Sequence, residues 1–238
     1  MSFIVQKNHL RPNIQYYQTL KWLSHKCKNL YNSALYLIKT HFDSTGKYMT
    51  TKQLFKQIKS HITYTQLHSD NAQLTLRTLR QSYSSFFELL KLKNKGEFDE
   101  EVNPPSYLAK DGYFVAQFIT RQIKREGDQL RLSLGKRGKL SMGVRYVWVT
   151  IPPNIREKLI NMVRIAPRYK GDYFEIEFVY QTDIDIPEFD YTQHLSIDLG
   201  LDNFATAVTT RETAYFTNLF IMWSNQKSKP SKTWFVQV

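Results

Sequence analysis

The segment best suited to chemistry is Leu195-Ser-Ile-Asp-Leu-Gly-Leu-Asp-Asn-Phe-Ala-Thr-Ala-Val208. Its alternation predicts a β-strand that presents Asp198 on one face and apolar residues on the other. Gly200 allows the chain to turn close to a metal ion or a phosphate, and Phe204–Thr210 and Ala214–Thr217 are predicted to continue as antiparallel strands. A carboxylate presented in this way is typical of metal-dependent nucleases. A solvent-facing Asp198 beside a glycine turn fits the same spacing.

The charge of the chain indicates a polyanionic partner. Its 238 residues carry 33 lysines and arginines against 21 aspartates and glutamates, a net charge of +12. Such a surplus binds nucleic acid because phosphate neutralisation releases counterions. The alternative is a basic protein with solvated charges, and for each cation taken singly that alternative is favoured. As a set, the cations on the third helix and around the strand turns are the predicted nucleic-acid contacts. They are Arg77, Arg80, Arg121, Lys124, Arg125, Lys136, Arg137 and Lys139.

No cysteine or histidine site for a metal is predicted. Cys27 is the only cysteine, which excludes an internal disulfide and a cysteine-based zinc ribbon and favours a reducing compartment. His25 and Cys27 point to different faces of a predicted helix, and His61 and His68 lack cysteine or acidic partners. The sequence shows no signal peptide and no apolar run of membrane-spanning length, so a cytoplasmic location is expected.

The first part of the chain is predicted to be mostly helical. A short strand over 2–10 precedes a long helix, whose apolar stripe runs from Ile14 to Leu37 at three- and four-residue spacing. Thr50 or Thr51 is predicted to cap a second helix. A third helix follows Ser69-Asp70, and the turn-forming residues of 93–105 predict a loop after it.

After Pro105 the pattern changes to short strands separated by glycine and charged turns. The clearest alternation places Phe174, Ile176 and Phe178 on one face. Five strands within about seventy residues predict a small barrel or curled sheet, with one or two helical turns over 154–162. The predicted strands cover 113–119, 129–134, 146–151, 164–168 and 173–180.

Several segments resemble known nucleases. Asp198-Leu-Gly200 with Ala205-Thr206 resembles the first catalytic motif of RuvC-type, ribonuclease-H-like nucleases. Segments upstream resemble the OrfB/TnpB family encoded by bacterial insertion sequences, and their order extends the resemblance to about Thr217. These segments are Leu30-Tyr-Asn-Ser-Ala-Leu35, Asn71-Ala-Gln73, Ser85-Phe-Phe87, Pro105-Ser-Tyr107, Asp111-Gly-Tyr113 and Phe178-Val-Tyr180.

The resemblance implies an RNA-guided DNA endonuclease of the transposase type, associated with transposition and DNA recombination. The implied fold is α+β, with a helical recognition unit inserted in a small β-barrel, wedge-like domain and followed by the first hairpin of an incomplete RuvC-like domain. The corresponding predicted boundaries are 1–110, 111–190 and 191–238. The implied partners are DNA and a guide RNA whose base pairing reads the target, and the implied cofactor is Mg²⁺.

The chain departs from this family after Asp198. Two-metal cleavage needs several converging carboxylates, but only Asp202 and Glu212 follow, and the residues after Thr217 lack the basic helix expected there. We therefore expect a nuclease domain truncated by a frameshift or early stop, or short by design, in which Asp198 is the vestigial first ligand of an incomplete Mg²⁺ site.

The predicted function is binding of guide RNA and DNA without cleavage. One alternative is a Mg²⁺-dependent endonuclease completed by a partner chain. Another takes Asp198-Leu-Gly200 as the phosphate loop of an actin-like sugar kinase.

Overall fold

The chain forms two compact units, residues 1–184 and 185–238. The computed structural model describes residues 2–10, 14–182, 192, 194–198, 205–209 and 213–216. Helices at the start of the chain combined with antiparallel sheets confirm the α+β class. The first unit begins with a strand and four helices: β1 Ser2–Leu10, α1 Ile14–Thr45, α2 Thr51–Ile58, α3 Ile62–Thr65 and α4 Ser69–Asn94.

The apolar stripe of α1 is buried as the spacing predicts. Leu20, Leu23, Leu30 and Ala34 lie in the core together with Cys27. Burial raises the pKa of the Cys27 thiol to about 12, so the thiol is neutral at ordinary pH. The helix ends at Thr45.

Both histidines without predicted partners begin helices. His61 Nδ1 accepts from the Thr63 backbone N–H at 3.3 Å, and His68 Nδ1 accepts from the Asp70 N–H at 3.2 Å. Each ring therefore satisfies a backbone donor that the first turn of a helix leaves unpaired. Thr50 caps α2 as predicted, through a reciprocal capping box with Gln53.

The remaining strands of the first unit form two antiparallel sheets. The four-stranded sheet has the order β1-β7-β6-β2, so the helices are inserted in the sequence between strands of one sheet. The three-stranded sheet has the order β3-β4-β5. The strands are β2 Ala116–Ile119, β3 Ile123–Glu126, β4 Gln129–Ser133, β5 Tyr146–Thr150, β6 Ile160–Arg168 and β7 Tyr173–Thr182.

The sheets differ from the prediction in three places. The described strands do not close into a barrel. Strand β3 and helix α5, Gly135–Met142, were not predicted, because Gly-Lys-Arg-Gly has weak helix propensity. The helical prediction over 154–162 was wrong beyond a short turn at Pro153–Ile155, since β6 begins at Ile160 and pairs with β7.

Strand β7 shows how the alternation divides the sheet. Phe174, Ile176 and Phe178 are buried in the core. Glu175 and Glu177 face the other way and pair with cations on the neighbouring strands: Lys7, Arg164 and Arg168.

The turn between β6 and β7 uses an uncommon backbone conformation. Tyr169 and Lys170 have φ values of 44° and 55°, and Gly171 has 82°. Left-handed conformations cost residues other than glycine about 1–2 kcal/mol each. The turn is therefore held in place by its surroundings.

The second unit contains a three-stranded antiparallel sheet with the order β10-β9-β8, made of β8 Leu195–Asp198, β9 Ala205–Thr209 and β10 Thr213–Phe216. Asp198 pairs with Thr206 in the register. Leu195 and Ile197 are 64% and 59% exposed. The two antiparallel strands predicted after the Asp198 strand are thus present over Ala205–Thr209 and Thr213–Phe216.

The described part of the chain contains no helix that is both long and apolar enough to cross a membrane.

Candidate nucleic-acid interface

Helix α5 presents cations because two glycines let its backbone pack closely. Gly135 has φ 65°, and a Cβ there would lie 2.6 Å from His68 Cδ2. A Cβ on Gly138 would lie 2.4 Å from the Cβ of Leu134. The glycines therefore face the body of the protein, while the predicted contacts Lys136, Arg137 and Lys139 are exposed.

Lys136 and Arg137 line a cleft of about 300 Å³, which we call the basic cleft. No carboxylate lines it. The third cation is Lys59, and the side chains of all three cations make no hydrogen bond or ion pair within the described residues. Its charge is therefore available to an anionic ligand. The lining residues are Lys59, Tyr64, Thr65, Leu67, His68, Ser69, Lys136 and Arg137.

The wall of the basic cleft on the α4 side is fixed by an ion pair. Asp70 is 4% exposed, and its carboxylate accepts from Arg121 Nε at 2.8 Å and also from Arg121 Nη2. The hydrogen bond to Asp70 raises the pKa of Arg121. Arg121 thus joins the start of α4 to the turn after β2, and much of its charge is already matched.

A buried polar network holds the other wall. Gln122 Nε2 donates to Asn71 Oδ1 at 3.0 Å and to the Ser133 carbonyl at 3.3 Å. Asn71 Nδ2 donates to the Gln117 carbonyl at 2.6 Å. Because Ser133 ends β4 and α5 follows directly, this network sets the position of α5 relative to α4. Buried polar groups that are satisfied in this way favour a single arrangement.

The other predicted contacts do not line the basic cleft. Arg80 donates to the Met49 carbonyl at 3.1 Å, and Lys124 pairs with Glu126 at 3.4 Å. Arg125 donates to the Gly127 carbonyl at 3.2 Å. Arg77 is exposed on α4 and has no hydrogen-bond or ion-pair partner within the described residues. The structure thus brings Lys136 and Arg137 together and leaves the remaining candidates elsewhere.

Sequence reasoning missed Lys59 and His68. Lys59 follows α2, and its place in the basic cleft depends on α3, a four-residue helix without a usable periodic pattern. His68 supports the cleft through the cap of α4 and through its contact with Gly135. The proximity of His68 to Asp70 was the signal available, since a polar side chain two residues before an acidic first turn fits a helix start.

The predicted carboxylate site lies in the second unit. Asp198 ends β8, and its register partner on β9 is Thr206. Asp202 and Glu212 lie outside the described residues. No group of three or more His, Cys, Asp or Glu residues that could hold a metal is found in the described part. The described residues do not by themselves fit a two-metal centre.

Comparison with solved structures gives distant similarities. No protein-family profile and no curated protein matches the sequence. One similar solved structure is described as a cryo-EM structure of the Cas12f1–sgRNA–target DNA complex. Its TM-score is 0.37 at 14% identity, with coverage of 91% of this chain and 56% of that chain.

A second is described as a cryo-EM structure of a CRISPR–Cas12f ternary complex. Its TM-score is 0.38 at 10% identity, with coverage of 85% of this chain and 47% of that chain. The chain spans about half the length of these proteins. At these TM-scores the similarities establish neither a shared fold nor a shared function.

Proposed function

We propose that this chain binds nucleic acid through the basic cleft and the exposed cations of α5. One observation carries the proposal: Lys59, Lys136 and Arg137 line one cleft that contains no carboxylate, and none of the three is paired within the described residues. Cations without internal partners gain most from phosphates, because no existing ion pair has to be broken.

The shape of the cleft supports a backbone contact. A space of about 300 Å³ with polar side chains and cations on its walls can accept a phosphate and its sugar. Lysine supplies a point charge, whereas the arginine guanidinium can donate two parallel hydrogen bonds to a phosphate. Such contacts position nucleic acid without reading its sequence.

The finer assignment follows from the sequence resemblance to the OrfB/TnpB family. We propose that the ligands are a structured guide RNA and DNA, in the setting of a transposon. The first unit would hold the RNA, with α1 to α4 as a recognition element and the two sheets as the wedge-like element. The second unit would correspond to the start of a RuvC-like domain, with Asp198 as its first carboxylate.

We propose that binding, not cleavage, is the activity of these 238 residues. Only Asp202 and Glu212 follow Asp198 in the sequence, whereas two-metal hydrolysis uses several converging carboxylates. Incubation with Mg²⁺, guide RNA and target DNA should leave the DNA intact. Cleavage that the substitution Asp198→Ala abolishes would contradict this part of the proposal.

The binding proposal is tested by removing equal charge from two places. One variant carries Lys59→Ala, Lys136→Ala and Arg137→Ala. The control carries Lys47→Ala, Lys52→Ala and Lys95→Ala, three exposed lysines whose side chains have no partner in the described residues. Both lose three positive charges, so a general field effect acts equally on them.

Affinity for a structured RNA and for a DNA duplex is measured by fluorescence anisotropy near 0.1 M salt. We expect the cleft variant to bind about tenfold or more weakly than the control, as three lost phosphate contacts imply. Equal affinities of the two variants would show that nucleic acid does not bind in the basic cleft.

A further inference from the structure

The turn between β6 and β7 carries side chains that its backbone does not favour. Tyr169, Lys170 and Gly171 all have positive φ values. Hairpin turns of this kind prefer asparagine and glycine, which adopt the left-handed region with little strain. Tyr169 is 76% exposed and Lys170 is exposed. Burial in the core therefore does not explain why a tyrosine and a lysine occupy these positions.

The body of the protein imposes the conformation of the turn. Tyr17 Oη donates to the Gly171 carbonyl at 2.8 Å. Gly171 lies against Tyr113, since a Cβ there would be 2.9 Å from Cε2 of that ring. The Asp172 N–H donates to the Arg168 carbonyl at 3.1 Å. The strain is held by contacts from two sides, which is the situation in which outliers persist at functional positions.

Aromatic rings form a row behind Tyr169. Its centroid lies 5.5 Å from that of Tyr173, and the Tyr173 centroid lies 5.4 Å from that of His9. The row supports Tyr169 from one side and leaves most of its surface open to solvent. Such a ring offers a rigid face of low conformational entropy.

One cation beside the ring is free to contact an anionic group. Arg168 is paired with Glu175 at 2.6 Å, and the Lys21 ammonium lies over the Tyr17 ring at 4.8 Å. Lys170 is exposed and has no partner within the described residues. The turn therefore offers one aromatic face and one free cation next to each other, together with the exposed carboxylate of Asp172.

We propose that Tyr169 is a stacking platform for an unpaired base of single-stranded nucleic acid, with Lys170 contacting a neighbouring phosphate. Every base has a π-face, so stacking of this kind tolerates any sequence. Bases inside a duplex already have both faces covered, so a fully paired duplex lacks the ligand for this turn. The inference rests on the proposed nucleic-acid binding and adds a preference for single strands.

Three variants test the platform. Tyr169→Gly removes the ring and relieves the backbone, so it should fold at least as well as the unchanged protein. Tyr169→Phe keeps the stacking face. Tyr36→Ala removes another exposed tyrosine, 60% accessible on the regular helix α1, and controls for any exposed aromatic residue.

Each protein is titrated with a strand of about 20 nucleotides containing 2-aminopurine, and with the matching duplex. Stacking is worth about a fivefold to hundredfold change in affinity per base. We expect Tyr169→Gly to lose at least fivefold in single-strand affinity and to lose the quenching of 2-aminopurine. Duplex affinity should stay unchanged, and Tyr169→Phe and Tyr36→Ala should behave like the unchanged protein.

The failures are distinguishable. Normal binding and quenching by Tyr169→Gly would overturn the platform while leaving the nucleic-acid proposal intact. A change in sedimentation coefficient with unchanged nucleic-acid affinity would also overturn it, by showing that the turn contacts a second copy of the chain. Absence of binding by the unchanged protein to either ligand would overturn both proposals.

Discussion

Two groups of cations in the first unit differ in what they face. Lys7, Arg164 and Arg168 lie on the four-stranded sheet, where Glu175 and Glu177 pair with them at distances between 2.6 and 3.7 Å. The basic cleft has three cations and no acidic residue in its lining. The paired group stabilises the fold, and the unpaired group can bind a ligand. A count of basic residues does not separate these two roles. The presence or absence of an acidic partner beside each cation does.

The largest effect expected on the paired side comes from Glu177→Ala. Glu177 is 8% exposed, and its carboxylate lies 2.7 Å from Arg164 Nε and 3.6 Å from Lys7 Nζ. Breaking a fully buried pair costs about 3–5 kcal/mol, and partial exposure of both cations lowers our expectation to about 2–3 kcal/mol. Urea unfolding measures this loss, and nucleic-acid affinity should not fall.

Glu88→Ala is the matched control for that substitution. Glu88 pairs with Lys91 on the surface of α4, where both side chains are about two-thirds exposed. Its removal should change the unfolding free energy by less than about 0.5 kcal/mol. Equal effects of the two substitutions would show that the sheet pairs do not stabilise the fold.

A smaller loss is expected when the ion pair at the basic cleft is removed. Asp70→Asn weakens two charge-assisted hydrogen bonds from Arg121, while Arg121 itself stays solvated. We expect the unfolding free energy to fall by about 1.5–2 kcal/mol. Asp99→Asn, at an exposed position without a partner in the described residues, should have no comparable effect. A neutral result for Asp70→Asn would remove the structural role assigned to Arg121.

Acid should weaken the paired sheet face gradually. The hydrogen bond from Arg168 lowers the pKa of Glu175 below 4.5. The Glu175 carboxylate therefore binds a proton less strongly in the folded state than in the unfolded state. The resulting stability is present above about pH 4.5 and is lost as the pH falls through the lowered pKa. Glu175→Gln should be less stable than the unchanged protein near pH 7, and this difference should shrink towards pH 3. A constant difference would contradict the linkage.

The smallest effect on stability is expected for the unpaired cations. Lys136→Ala and Arg137→Ala remove exposed side chains without hydrogen-bond partners in the described part of the chain. The unfolding free energy should change by less than about 0.5 kcal/mol for each. Thermal unfolding checks this directly, and a loss above 1 kcal/mol would show that these cations help to hold the fold.

Sequence patterns predicted the parts of the fold that repeat at short range. The spacing of Leu20, Leu23 and Leu30 predicted the buried face of α1, and the alternation around Phe178 predicted β7. Both predictions are correct because one side of a helix or strand must be buried against the core, and apolar residues then recur with the period of that element. Helix α5 was not predicted, because glycine has low helix propensity. Its two glycines instead allow close contact with His68 and Leu134.

The basic cleft depends on contacts that no local pattern shows. The Gln122–Asn71 and Arg121–Asp70 hydrogen bonds each join residues 51 positions apart. The sequence identified Arg121 and Lys136 as basic, but only the tertiary contacts show that Arg121 is paired and Lys136 is not. Sequence alone therefore gave a list of cations, and the fold divides that list by function.

The salt dependence of binding tests the central claim most directly. The logarithm of the association constant for a DNA duplex is measured against the logarithm of salt concentration for the unchanged protein and for the variant with Lys59→Ala, Lys136→Ala and Arg137→Ala. Each phosphate contact contributes about 0.9 to the slope, so three lost contacts should reduce its magnitude by about 2 to 3. Parallel lines for the two proteins would contradict the assignment of the basic cleft as the phosphate-binding site.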